Sequence, residues 1–306
     1  MTLEVPAHVP AHLVRDYDYT DMGGEADIFA FNRALHGGPD FFYTPRHGGH
    51  WVVTRYQDMD AILLNNEDFS SVCSSIPRNP FPLPLLESDE PIHTDYRNLL
   101  APFFTPKQIG LLEQKARDLT ISLIDGFYAR GECEFVADFG QKMPIMILMS
   151  LLDLPEEDTP ALLQLSEEIV RGGKPEIIQA AYMKLAGYIA TKVLPARRTK
   201  PGADIFSALL AGKVQGGRPL ADEELVALGL LLIGAGLDTV ASMLGFIAMF
   251  LAKNPAHRRQ LSEHPEGVNE ALEEMMRRHC IANVTRVVVR DLEYKGILFK
   301  AGDVIQ

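Results

Sequence analysis

A chain of 306 residues, 47% hydrophobic and 23% charged, carries enough apolar material for one large or two modest cores, which excludes an extended disordered chain. Its 29 basic and 41 acidic residues leave a net charge of −12, which argues against nonspecific nucleic-acid binding and favours a protein or small-molecule partner. Cys73, Cys133 and Cys280 are odd in number and widely spaced, so neither a disulfide framework nor a zinc cluster is expected and a reducing compartment fits.

The N-terminus opens MTLEVPAHVPAHLVRDYDY, where Glu4 and the prolines interrupt the apolar run a signal peptide needs, so a cytoplasmic chain is expected. Beyond this proline-rich lead-in, WVVT at 51–54 predicts a short strand and YQDMDAILLNN an amphipathic helix. From Ser74 to Pro91, five prolines separate Phe81, Leu83, Leu85 and Leu86, a pattern that predicts an ordered apolar loop of the kind that lines a site. Helices are then expected over 92–101, 106–129, 139–152, 156–170, 175–196, 203–211, 221–252, 255–263 and 266–279, with Asp222 as a candidate cap of the longest. VTRVVVRDLEYKGILFKAGDVI ends the chain as short strands with a Lys-Gly turn, and no internal repeat is evident.

The 221–252 helix would span roughly 50 Å. Residues 225–251 hold one charge, Asp238, so a membrane span is one reading. A central acid costs about 2.5–3.5 kcal/mol there, against about 0.3–0.6 returned by each large apolar residue. Mixed-charge amphipathic helices on either side, no second apolar span and no aromatic belt favour a soluble helical domain with other helices surrounding this one, and no membrane partner. Gly229, Gly234, Gly236 and Gly245 each cost about 1 kcal/mol against Ala inside a helix. Gly234, Ala235 and Gly236 just before Asp238 and Thr239 make a bare groove where a flat ligand or a diatomic molecule can approach, and the threonine hydroxyl can bond back to the carbonyl four residues earlier. Close helix packing, with Asp238 in a structural ion pair, explains the same residues.

Two weaker signals flank this one. Glu274 and Arg277 sit three apart on one helical face, with Arg286 at the start of a later strand; His93 and Arg97 share a face near a helix N-terminus. Together and in this order, HTDYR, GAGLDTV and EEMMRR resemble the cytochrome P-450 family of haem-thiolate monooxygenases, most closely its bacterial camphor hydroxylase group. Thr239 lies 142 residues after Arg97 and 35 before Glu274, as the resemblance requires, and LPEEDTP, RRTKPGADIFSALLAGKVQGGRP, FLAKNPAHRRQL and LEYKGILFKAGDVI extend it over nearly the whole chain.

The resemblance implies a single, mainly α domain with small β-sheets over residues 1–306. It implies haem b (iron protoporphyrin IX), with electrons from NADH through a reductase and an iron-sulfur ferredoxin, and insertion of one atom of O2 into a hydrophobic substrate. Asp238 and Thr239 would deliver protons, and Ala235 and Gly236 would leave room for oxygen. His93, Arg97 and Arg286 would pair with the haem propionates, and Glu274 with Arg277 would be structural. Phe81, Leu83 and Leu85 would form an apolar roof, with Leu231, Gly234, Ala282 and Val284 at the sides. The camphor group anchors its ketone with a loop tyrosine, and residues 70–91 contain none, so a terpenoid or norisoprenoid other than camphor is expected. Lys107, Lys115 and Arg117 are candidates to meet an acidic ferredoxin. The axial cysteine that the family places after a Phe-x-x-Gly motif is absent from these residues, so a domain incomplete at its C-terminus and inactive by itself is expected. The rival reading is a noncatalytic helical binding or interaction module that retains part of the fold.

Overall fold

The computed structural model describes residues 4–21, 27–79, 81 and 83–306. In chain order its elements are α1 (Ile28–Leu35), β1 (Phe41–Thr44), β2 (His50–Val53), α2 (Tyr56–Leu64), β3 (Phe69–Ser70), α3 (Ile92–Leu100), α4 (Pro106–Tyr128), α5 (Lys142–Leu151), α6 (Thr159–Arg171) and α7 (Pro175–Tyr188). They continue with α8 (Leu194–Thr199), α9 (Ile205–Ala211), β4 (Lys213–Val214), β5 (Arg218–Pro219), α10 (Asp222–Lys253), α11 (Pro255–Glu263), α12 (Val268–Arg278), β6 (Arg286–Val288), β7 (Leu292–Tyr294), β8 (Ile297–Phe299) and β9 (Val304–Ile305). The fold is mainly helical with small sheets, as expected from the sequence. Within it the chain forms two compact units, Met1–His93 with Asn283–Gln306, and Thr94–Ala282.

The first unit is built on a sheet of order β1-β2-β9-β6-β3. β1 and β2 pair antiparallel, Phe41 opposite Val53, and β9 joins β2 in parallel at Trp51 and Ile305. Trp51 is fully buried against Tyr43 and Phe299, with ring centroids 5.5 and 5.0 Å away, and its indole N–H donates to Asp303 Oδ2 at 3.0 Å. All four β1 residues are buried, so the strand shows none of the alternation that marks a half-exposed strand. The Lys-Gly turn joins β7 to β8, with Lys295 and Gly296 both left-handed at φ 50° and 75°, the geometry a two-residue hairpin needs.

His50 on β2 is buried, and both of its ring nitrogens lack a hydrogen-bond partner among the described residues. Burial pushes its pKa down to about 4. The folded chain therefore refuses a proton that the unfolded chain accepts below its ordinary 6.5. This group's contribution is intact above that pH and is lost progressively down to about 4. Urea unfolding at pH 7.5 and 4.5 should show the parent losing about 2.5 kcal/mol more than His50→Leu over that interval; equal losses would contradict the assignment.

The second unit packs helices around α10, which contacts α5, α6, α7, α9 and α11. α10 begins at Asp222, so Asp222 is not its cap; Ala221 holds that position and the Glu224 carboxylate accepts its backbone N–H at 2.8 Å, while Asp222 pairs with Arg198. The predicted 175–196 helix is interrupted by a π turn at Ile189–Val193 before α8, and another π turn, Val136–Gly140, leads into α5 and takes in the first two residues of the predicted 139–152 helix. Pro144 and Pro195 follow them, and a proline both lacks the N–H for the carbonyl four residues earlier and crowds it, so the preceding turn widens.

The sequence pattern predicts that α10 is surrounded. It is buried on one stripe instead: Leu225, Gly229, Ile233, Leu237 and Ala241, spaced by four, face the neighbouring helices. Ala235, Thr239, Val240, Phe246 and Met249 are exposed. Its length and apolar composition would by themselves allow a membrane crossing, and its buried stripe packs against protein.

Candidate active site

The exposed face of α10 is where the acid and the hydroxyl stand. Thr239 Oγ1 donates to Ala235 O at 2.7 Å, the back-bond open to a helical threonine, and Ser242 Oγ donates to Asp238 Oδ2 at 2.8 Å. Ser242 is one turn from both Asp238 and Thr239, so it belongs to the polar group; the i, i+3 and i, i+4 spacing is the sequence signal that would have found it. The glycines separate into two kinds. A Cβ on Gly236 would meet Leu148 of α5 at 2.9 Å, so close helix packing accounts for that glycine, whereas among the described residues nothing beyond the chain neighbours and the helix's own backbone lies within 4 Å of a Cβ on Gly234. The uncovered surface thus runs along Gly234, Ala235 and Thr239, with Leu231 half-buried one turn before Ala235.

Elsewhere in the second unit, Glu274 and Arg277 on α12 form a bidentate pair with both contacts at 2.7 Å. The guanidinium holds the carboxyl below its usual range, and the carboxylate raises the guanidinium in turn. The two side chains are 61% and 71% exposed, so this pair stands at the surface rather than inside a core. Arg97 on α3 is exposed with no ion-pair partner among the described residues, and Ala282 is exposed beyond α12. Lys107, Lys115 and Arg117 all project from α4; Lys115 donates to Ser150 at 2.7 Å and Arg117 reaches Glu113 at 3.5 Å.

The first unit carries the other expected residues. His93 pairs with Glu90 at 2.9 Å. Arg286 opens β6 with its guanidinium half-buried: Nη1 donates to Thr285 O at 2.9 Å, while Nε is buried without a partner among the described residues. Burial pushes this guanidinium down and Asp89 opposes that shift. Phe81 and Leu83 lie half-buried in the proline-rich loop, and Val284 is exposed.

These observations fit a porphyrin at its edge and face. In the first unit, the buried Nε of Arg286 has no partner among the described residues and suits an anionic acceptor; in the second unit taken by itself, Arg97 offers a cation and the bare stretch at Gly234, Ala235 and Thr239 suits a flat apolar group. The thiolate is another matter. Cys73 is buried with its thiol on Ser75 O at 3.3 Å, Cys133 is exposed, and the Cys280 thiol turns onto Ala282 O at 3.2 Å; none stands free in a glycine-rich loop.

Residues 176–306 match the family model for cytochrome P450. A probable cytochrome P450 127A1 from Sinorhizobium fredii is 31% identical over 99% of this chain and 76% of its own length. The vitamin D(3) 25-hydroxylase of Pseudonocardia autotrophica is 28% identical over 84% of this chain and 66% of its own. Among solved structures, CYP101J2 and cytochrome P450 CYP101C1 both superpose with a TM-score of 0.86 at 35% and 32% identity, covering 99% of this chain and 77% of theirs. Mycobacterium marinum CYP268A2, solved with pseudoionone, superposes with a TM-score of 0.82 at 25% identity, covering 95% of this chain and 78% of its own.

Proposed function

The chain belongs to the cytochrome P450 family of haem-dependent monooxygenases, and on that premise we propose that it oxidises a terpenoid or norisoprenoid with the polar group of α10 delivering protons. The observation that carries the reading is the uncovered Gly234–Ala235–Thr239 stretch in an otherwise apolar helix, with Asp238 and Ser242 hydrogen-bonded beside it. Haem, bound against that face, would supply the activation of O2 and transfer of one oxygen atom to the substrate.

The chain's own residues would supply position, dryness and protons. Arg97 and Arg286 would hold the propionates as cations and His93 as a hydrogen-bond donor, each meeting a carboxylate that would otherwise be costly to desolvate. Thr239 in its present rotamer spends its proton on Ala235 O, so delivery requires the hydroxyl to turn away from the helix carbonyl. Asp238 accepts from Ser242, which links the carboxylate to a hydroxyl on the threonine's side of the helix; a proton taken from water at Asp238 Oδ2 can pass along hydroxyls while the apolar walls keep bulk water out. Phe81, Leu83, Leu231, Gly234, Ala282 and Val284 would shape the substrate space. A wall without a donor selects by shape, worth about 1–3 kcal/mol per methylene. CYP268A2 was solved with pseudoionone, a compound of the proposed size and polarity. High-affinity binding of camphor with a full spin-state shift would count against this choice of substrate.

NADH, a reductase and an acidic iron-sulfur ferredoxin docking near Lys107, Lys115 and Arg117 complete the proposal, with a cytoplasmic location. The 306-residue chain by itself is read as inactive, because none of its three thiols is placed as an axial ligand. Titrating it with haemin and reducing it under carbon monoxide should give no thiolate-type Soret band. A thiolate band from these residues alone would overturn that point, and no haem uptake even with an axial cysteine supplied would favour a noncatalytic interaction module.

A further inference from the structure

We propose that Glu87 is the positioning residue of the 74–87 loop, holding Phe81 and Leu83 in the conformation that sets substrate preference; the substrate half of this claim rests on the function proposed above. The loop's prolines carry no backbone N–H and so cannot donate to a backbone ladder. Glu87 replaces it. Oε1 accepts from Ser74 N at 3.1 Å, from Ser74 Oγ at 2.7 Å and from Asn79 Nδ2 at 3.4 Å. Oε2 accepts from Leu83 N at 3.2 Å, and the Glu87 backbone N–H donates to Leu83 O at 2.8 Å. One half-buried carboxylate therefore ties the start of the loop, its middle and the residue next to its apolar tip.

The chemistry selects a carboxylate. Four donors converge on two oxygens, which an ionised glutamate satisfies and a glutamine, with one acceptor oxygen, does not. Leu85, held left-handed at φ 72°, lies inside the turn that Leu83 and Glu87 close, and its N–H donates to Ser88 Oγ at 3.2 Å. Anchoring to the sheet is a separate device: Asp89 Oδ1 accepts from Ser71 N at 2.8 Å and Oδ2 from Ser70 Oγ. Loss of Glu87 should thus loosen the loop internally while leaving its attachment to β3 in place.

The test is hydrogen exchange on the 306-residue chain, which needs no haem. In Glu87→Ala the amides of Ser74 and Leu83 should exchange faster by about tenfold or more, with Glu87→Gln intermediate and the Val53 amide of β2 unchanged. In the haem-loaded enzyme, binding preference between pseudoionone and camphor, read from the Soret shift, should fall by about fivefold in Glu87→Ala, with KM rising more than kcat falls. Unchanged exchange at Ser74 and Leu83, or faster exchange with the preference intact, overturns the proposal. Failure of both compounds to bind the parent enzyme overturns the substrate reading instead, and the exchange rates then decide the positioning claim by themselves.

Discussion

In the haem-loaded enzyme, Asp238→Asn is expected to lower turnover by about 100-fold. Asparagine keeps the volume and still accepts from Ser242, so the 2.8 Å contact and the fold survive while the group that gains and loses a proton is gone. Asp238→Glu should recover part of the rate, because an acid is restored with its oxygens displaced by one methylene. Ser242→Ala tests the link from the other side and should cost less, since water can occupy the space of one hydroxyl. A larger solvent isotope effect in Asp238→Asn than in the parent would identify proton delivery as the slowed step. Equal rates for parent and Asp238→Asn would return the acid to a structural role.

Asp204→Ala is expected to destabilise the helical unit by about 3 kcal/mol. Asp204 is buried at the N-cap of α9, where its carboxylate accepts from Ser207 N at 3.1 Å and Ser207 Oγ at 2.7 Å. It also lies 2.9 Å from Arg197 Nε, close enough for an ion pair although the N–H is not aligned for a hydrogen bond. Burial raises its pKa, but the Ser207 and Arg197 contacts more than offset this, so the carboxyl is held below its ordinary 3.8. Its stabilisation is therefore complete above that value and fades as the pH drops through the folded-state pKa. Alanine removes the cap and strands a largely buried guanidinium, which keeps Asp153 as a partner. Asp204→Asn keeps the cap and should cost about half as much. Urea unfolding at neutral pH measures both; a loss below about 1 kcal/mol for alanine would show that Arg197 finds full compensation at Asp153.

Much of this was legible beforehand, and the reasons are local. The 221–252 expectation matches Asp222–Lys253 because an unbroken apolar run bounded by acids and Lys253 leaves little freedom in where a helix starts and stops. Lys295 and Gly296 announced their hairpin because few residue pairs tolerate that backbone. The strands that escaped notice are those without local pattern: β1 is buried on both faces, and β3 has two residues that become a strand only by pairing with β6. The parallel pairing of Trp51 with Ile305 joins residues 254 positions apart, which no window of sequence reports. At the site, Asp238 and Thr239 stand out as polar residues where none belongs, whereas Ser242 is marked only by its spacing of four and three from them, because one serine inside a long helix breaks no pattern by itself. The role of Gly236 needed Leu148 in view, since a glycine that admits a neighbour and a glycine that leaves a gap read alike in sequence.

Every role proposed for the exposed face of α10 requires a porphyrin lying against it at Ala235 and Thr239. Haemin titration of the enzyme carrying an axial cysteine, comparing the parent with Ala235→Trp, tests this directly: Ala235 is exposed, so the indole should leave the helical circular dichroism unchanged while covering the proposed face. The parent should take up haem and give a thiolate-type Soret band when reduced under carbon monoxide, and Ala235→Trp should remain folded and haem-free. Equal haem uptake and equal bands in both would contradict the placement.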